Sequence, residues 1–354
     1  MQYRAPLWLP GGNLQTIWPA LFARRVRGQV PAYRRERWST PDDDFIDVDW
    51  IDPPPDAARA FQSAGERAPP LIVLFHGLEG SSASHYAQAF AGYARERGLA
   101  LAVPHFRGCS GELNRAPRAY HSGDHAEIDW ILRRCRAWSG APVLAVGVSL
   151  GGNALMRWAA EAGAGASAVV RAVASVSAPL DLAAGGHAIG RGFNRLVYNR
   201  MFLQTMRPKA LRKLEQFPGL FERDALLQAR DLHAFDDVFT APVHGFRDAL
   251  DYWQRASAKP HLRRIAVPAL LCNARNDPFV PAESLPCQAD VSPSVTLWQP
   301  RQGGHVGFPR GLPPGHVQAM PQAVGQWLLE RLDGSAPDPV RSQGHRHNGL
   351  HGAS

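Results

Sequence analysis

From residue 71 onward the apolar positions of this chain alternate between two patterns. Leu71-Ile72-Val73-Leu74-Phe75 is an unbroken apolar run, as expected of a strand covered on both faces, and a stretch with helical spacing follows near Ser84 to Arg97. The alternation repeats as strand Leu99 to Pro104, helix Ala126 to Trp138, strand Val143 to Val148, helix Asn153 to Ala162 and strand Val169 to Val176. That order predicts a doubly wound, mostly parallel sheet. Ahead of it, Arg34 to Thr40 and Phe45 to Ile51 flank Pro41-Asp42-Asp43-Asp44 and predict an antiparallel hairpin. The second arm alternates apolar with acidic residues, the pattern of a half-exposed strand.

After Ala178 the buried-strand pattern lapses for about ninety residues, too long for a plain loop inside a compact domain. Arginines, phenylalanines and helical periodicities fill the gap, so a helical cap insertion is expected over about residues 179–262. The sheet resumes with Val267 to Cys272 and Val295 to Gln299, and a helix from Val317 to Leu332 closes it. Pro53 to Pro70, rich in proline and alanine, reads as an exposed connection. Residues 1–334 form one α/β domain on this reading, and the polar, Gly- and His-rich stretch 335–354 is expected to be a disordered tail.

Composition changes this picture little. The formal charge of +8 comes almost wholly from arginine and permits weak attraction to acidic surfaces. No basic run is interleaved with aromatics and no zinc-finger spacing occurs, so no nucleic-acid partner is expected. Cys109, Cys135, Cys272 and Cys287 form no CxxC pair and read as ordinary buried thiols, with no metal site or disulfide framework. Without a leader or a long apolar run, the expected location is the cytoplasm. Leu7 to Phe22 carries Trp8, Ile17, Trp18 and Leu21; such a segment packs on its own domain more often than on lipid, and transient membrane-surface contact stays open beside that reading. Oligomeric state is not legible.

The chemistry lies where the third strand of the alternation meets its helix. Gly147-Val148-Ser149-Leu150-Gly151 puts a serine at a sharp strand-to-helix turn, with glycines where the two backbones pass too close for a Cβ. A serine hydroxyl needs a histidine to take its proton, and the histidine needs an acid to set its tautomer. Asp277, in Asn276-Asp277-Pro278 beyond a late strand, is the candidate acid, and His305, in Gly303-Gly304-His305-Val306-Gly307, the candidate base. Asp181 is a rival acid better read as a helix cap; His76, His121, His125 and His244 are rival bases better read as structural. The backbone N–H groups of Leu78, in His76-Gly77-Leu78-Glu79-Gly80, and of Leu150 are the candidate oxyanion donors. Glu79 is read as facing solvent and Asp124 as capping the next helix.

Motifs beyond the elbow extend the match. Asn13-Leu14-Gln15-Thr16-Ile17-Trp18, His76-Gly77-Leu78-Glu79-Gly80-Ser81-Ser82, Pro104-His105-Phe106-Arg107-Gly108-Cys109, Tyr120-His121-Ser122-Gly123, Phe235-Asp236-Asp237-Val238-Phe239-Thr240-Ala241-Pro242 and Gly303-Gly304-His305-Val306-Gly307-Phe308 together resemble the YheT-like branch of the α/β-hydrolase superfamily, over roughly residues 5 to 332. The resemblance implies the α/β-hydrolase fold and carboxylic-ester hydrolysis by Ser149, Asp277 and His305, without a metal or organic cofactor. It also suggests that the segment from Asp236 to Phe246 packs between cap and core, although plain structure is the preferred reading of that segment. The expected substrates are small-molecule esters with short- to medium-chain acyl groups, acylglycerols among them. An acyltransferase or thioesterase using the same residues is the alternative, and a non-enzymatic receptor or scaffold a more distant one.

Overall fold

The apolar runs become strands β1 (Arg34–Ser39), β2 (Phe45–Ile51), β3 (Leu71–Phe75), β4 (Ala100–Pro104), β5 (Val143–Val148), β6 (Ala172–Val176), β7 (Ala269–Cys272) and β8 (Val295–Trp298). They form one sheet in the order β1-β2-β4-β3-β5-β6-β7-β8. β1 and β2 pair antiparallel, β2 joins β4 antiparallel, and every other pairing is parallel. The computed structural model describes residues 2–29, 31–57, 59 and 68–332. Half of the Pro53 to Pro70 connection and the whole of the tail 335–354, expected to be disordered, lie outside the described residues.

Both faces of the sheet are covered, which is why its central strands read as continuous apolar runs. Leu71, Val73 and Phe75 face the helices His125–Ser139 and Leu150–Ala162, where Ile128, Leu132, Leu155 and Trp158 pack on them. Ile72 and Leu74 face the helices His85–Glu96 and Ala319–Leu329, through Phe90, Ala94, Val324 and Leu328. Between β6 and β7 the described residues fold into helices Leu182–Ile189, Arg200–Gln216, Arg223–Gln228, Leu232–Phe235 and Ala249–Ala256, joined by shorter turns. Leu203, Phe221, Leu226, Phe235 and Phe239 give this region an apolar cluster of its own.

Three details depart from the sequence reading. β2 is buried along its whole length, not half-exposed. Its acidic positions are neutralised across the hairpin: Arg37 donates to Asp47 at 2.8 and 3.0 Å, Arg35 to Asp49 at 2.7 and 2.9 Å, and Asp49 also bonds His105 and Ser82. Burial pushes the Asp49 carboxyl up, but bonds from Arg35, His105 and Ser82 outweigh it and hold the group below the usual carboxylate range. Secondly, Gly11–Leu21 is a helix, in a stretch the hydrophobic pattern left unassigned. Thirdly, Cys109, Cys135 and Cys272 are wholly or partly buried but Cys287 is exposed, and all four are free.

Candidate active site

β5 ends at Val148 and the helix begins at Leu150, so Ser149 alone makes the reversal, with φ 52° and ψ −118°. That left-handed backbone costs on the order of 1–3 kcal/mol in a non-glycine residue and persists only where the surroundings enforce it. The enforcement is visible. The Ser149 amide donates to the Val176 carbonyl of β6 at 2.8 Å. A Cβ on Gly147 would lie 2.4 Å from the Gly151 carbonyl oxygen, and one on Gly151 would lie 2.5 Å from that of His76, so neither position accepts a side chain.

The loops after β7 and β8 bring Asp277 and His305 to this corner. His305 Nε2 lies 3.0 Å from Ser149 Oγ, and its Nδ1 lies 2.9 Å from Asp277 Oδ2. The second Asp277 oxygen accepts from the amides of Phe279 at 2.8 Å and Val280 at 3.3 Å, which pins the carboxylate plane. A carboxylate only accepts, so Nδ1 carries the imidazole proton and Nε2 presents a lone pair to the serine hydroxyl. The Phe279 ring lies against the imidazole, with centroids 4.2 Å apart. Ser149, Asp277 and His305 are thus brought together, and the arrangement can pass a proton from hydroxyl to imidazole while the acid holds the ring.

Ser149 and His305 border a cavity of about 150 Å³. Leu78 and Leu150 line it beside them, with Leu113, Ile189, Phe202, Met206 and Phe239 farther along. The Tyr86 hydroxyl accepts from the Gly77 amide, the Tyr120 hydroxyl from that of Glu79, and the Gly77 carbonyl from that of Gly80. The Leu78 and Leu150 amides donate to no group among the described residues.

A family model described as the alpha/beta hydrolase fold matches residues 70–311. "Putative esterase YheT" of Escherichia coli (strain K12) is 39% identical over 324 residues, covering 91% of this chain and 91% of that one. The chain belongs to the α/β-hydrolase family, in its YheT-like branch. Phospholipase ABHD3 of Mus musculus is 28% identical over 332 residues, 90% of this chain and 79% of that one. Est1E from Butyrivibrio proteoclasticus, solved with ferulic acid bound, superimposes with a TM-score of 0.53 at 15% identity, covering 84% of this chain and 99% of that one, a likeness of fold alone.

Within this α/β hydrolase the rival groups have other work. Asp181 caps the helix Leu182–Ile189 by accepting from the Ala184 amide at 3.1 Å. His76 donates from Nδ1 to the Gly77 carbonyl and accepts the Phe106 amide at Nε2, and burial pushes its titration down to about 3. Burial does the same to His121, again to about 3. His125 bonds the Gly123 carbonyl, and His244 lies between the carbonyls of Thr240 and Ala119. Asp124 stands at the start of its helix, but its side chain pairs with Arg118 and makes no cap bond. Glu79, expected in solvent, is 10% exposed at its side chain and pairs with Lys209 at 2.7 Å while accepting from the Tyr120 hydroxyl at 2.9 Å. The Asp236 segment touches both layers: Asp236 and Phe239 line the cavity, and the His244 ring reaches the Ala119 carbonyl of the core.

Residues that shape the site were missed in the hydrophobic pattern. The His305 amide donates to Thr16 Oγ1 at 2.8 Å, and Gln15 Oε1 accepts from Asn276 Nδ2 and from the Gly303 amide, each at 2.9 Å. Helix Gly11–Leu21 therefore splints the acid loop to the histidine loop. Gly12 is needed there, since a Cβ on it would lie 1.8 Å from the Asn276 carbonyl oxygen. The signal for these contacts was the Asn13 to Trp18 motif, whose polar residues have no role in helix formation as such.

Proposed function

We propose that this chain cleaves carboxylic esters through an acyl-serine intermediate. The esterase class follows from its family; the serine relay and the acyl range are the proposal. The observation that carries it is the Ser149–His305–Asp277 hydrogen-bond chain at the edge of an apolar cavity. Ser149 Oγ attacks the ester carbonyl as His305 Nε2 takes its proton; His305 then protonates the leaving alcohol oxygen, and a water, activated by the same nitrogen, releases the acid. The Leu78 and Leu150 amides receive the tetrahedral oxyanion, each donor worth on the order of a hundredfold or more in rate.

The cavity supports short to medium acyl groups. A space of about 150 Å³ is of the size that takes up one benzene molecule, so an acyl chain of about six carbons fills it. The side chains of Leu113, Ile189, Phe202 and Met206 offer such a chain no hydrogen-bonding competition.

The deciding experiment measures p-nitrophenyl butyrate turnover by the parent and Ser149→Ala. A loss of about four to six orders of magnitude is expected, with fluorophosphonate labelling abolished in the variant. Retention of a tenth of the rate would overturn the reading. Product analysis with glycerol and thiols competing against water separates hydrolysis from acyl transfer, and free acid is the expected product.

A further inference from the structure

The helix Gly11–Leu21 is oriented against the usual rule for a surface helix. Its polar residues Gln15 and Thr16 are buried, bonded to the Asn276 and His305 loops. Its apolar residues Leu14 and Leu21 lie on the opposite side, spaced i and i+7 with Trp18 between them, and Leu21 is 64% exposed. Phe22, one residue past the helix, is 57% exposed.

This face does not stand alone. Trp8 Nε1 donates to the Gly311 carbonyl and Trp18 Nε1 to that of Pro314, which bring Leu7 and Leu312, the two most exposed large apolar side chains among the described residues, to the same side. At the other end of the helix the Tyr198 hydroxyl bonds Asn13, joining the cap stretch that carries exposed Phe193, Leu196 and Met201. Eight of the eleven exposed large apolar residues among the described residues lie on these three segments. Scattered exposed leucines are ordinary, but such a concentration marks a surface that something covers.

Charge says what covers it. Residues 2–29, 190–201 and 301–318 carry nine arginines and no lysine, aspartate or glutamate, in a chain whose whole formal charge is +8. Arg24, Arg27 and Arg310 are exposed on the helix side, and Arg191, Arg195 and Arg200 on the cap side; none of the six pairs with a carboxylate among the described residues. A second copy docked through this face would set arginine against arginine about a two-fold axis. A nucleic acid would satisfy the arginines and leave the leucines in water. An anionic bilayer satisfies both, since apolar side chains enter the acyl boundary while guanidinium groups meet headgroup phosphates.

We propose that the face formed by helix Gly11–Leu21, the 311–314 turn and the cap stretch Phe193 to Met201 docks this protein on an anionic lipid surface. The same helix holds the His305 loop on its inner side, so docking sets the hydrolase site next to the bilayer. No helix among the described residues is long and apolar enough to cross a membrane, so the contact is peripheral.

The test is flotation of the full chain with vesicles of phosphatidylcholine alone and of an equal mixture of phosphatidylcholine and phosphatidylglycerol. Binding is expected to the mixed vesicles only, and to weaken as salt rises. Each basic residue near an anionic leaflet contributes about a fivefold gain in partitioning, so Arg24→Glu/Arg27→Glu should weaken binding at least about tenfold. Leu21→Glu/Phe22→Glu should do the same, with turnover of a soluble short ester kept within about twofold as the check on folding; Leu312→Glu, on a turn, serves where the helix variant does not fold. Ser149→Ala should bind as the parent does, so failure of the docking reading and failure of the esterase reading are scored apart. Absence of binding to mixed vesicles, equal binding to neutral ones, or binding that none of these variants changes would overturn the proposal. So would a dimer, or retention on nucleic acid, that these variants abolish while vesicles do not bind.

Discussion

The main-chain amide of His305 donates to the hydroxyl of Thr16 at 2.8 Å, across 289 positions of chain. Thr16 passes the bond on to the Gly12 carbonyl at 2.7 Å. The imidazole's height above Ser149 is therefore set by a helix at the other end of the sequence. Thr16→Val, which keeps the shape and removes the oxygen, should lower kcat for a soluble ester about ten- to a hundredfold while KM changes little. Thr16→Ser should restore it. A purely structural role predicts instead a lower melting temperature with kcat intact in the folded fraction.

Asp277 has no freedom to accept a substitute. One oxygen is held by the Phe279 and Val280 amides, so in Asp277→Asn the retained oxygen stays there and the new NH2 faces His305 Nδ1. The imidazole must then accept at Nδ1 and carry its proton on Nε2, pointing at the serine. A fall in kcat of about four orders of magnitude is expected, with fluorophosphonate labelling slowed in parallel. Unchanged labelling kinetics would remove Asp277 from the proposed relay.

Backbone contact rather than side-chain chemistry governs Gly307. A Cβ there would sit 1.8 Å from the Gln15 carbonyl oxygen, whereas one on Gly165 would meet nothing within 4 Å. Gly307→Ala should cost at least about 2–3 kcal/mol in denaturant unfolding. Gly165→Ala should leave the midpoint nearly unchanged.

Asp236 predicts a pH dependence of stability. Burial raises its carboxyl to about 6, although Thr240 and Trp253 both donate to it. Its unfolded value is about 3.9, so between about 4 and 6 the folded state holds the extra proton and stability falls as pH rises. The shift of about two units corresponds to about 3 kcal/mol. Asp236→Asn removes this contribution, so the parent should lose more stability than the variant between pH 4 and pH 7 in chemical denaturation. Parallel curves would show that Asp236 does not titrate there.

Much of the fold was legible because its signals are local. The run Leu71 to Phe75 became β3, Val143 to Val148 became β5, and the hairpin arms became β1 and β2, since continuous or alternating apolar residues leave few other ways to be buried. The corner at Ser149 was legible for the same reason, because only glycine tolerates the close passage on either side of it. Asp47 and Asp49 misled: alternation with acids reads as one wet face, but the arginines directly opposite them on the neighbouring strand cancelled the charge and let both faces be buried. Glu79 misled in the same way, its partner Lys209 lying in the cap.

By itself, then, the sequence determined the doubly wound order of strands and helices, the helical stretch that interrupts it, and the three polar residues worth testing for chemistry. Those follow from periodicity and turn geometry, which act over a few residues. Only the tertiary structure decided that Gln15 and Thr16 face inward onto the Asn276 and His305 loops, that Leu14, Leu21 and Phe22 therefore face out, and that Asp236 sits in the cavity wall. A helix with apolar residues on one side and polar residues on the other has two ways to lie, and the hydrophobic pattern favours the wrong one here. The choice fell to hydrogen bonds with loops nearly three hundred residues away, whose position no local pattern encodes.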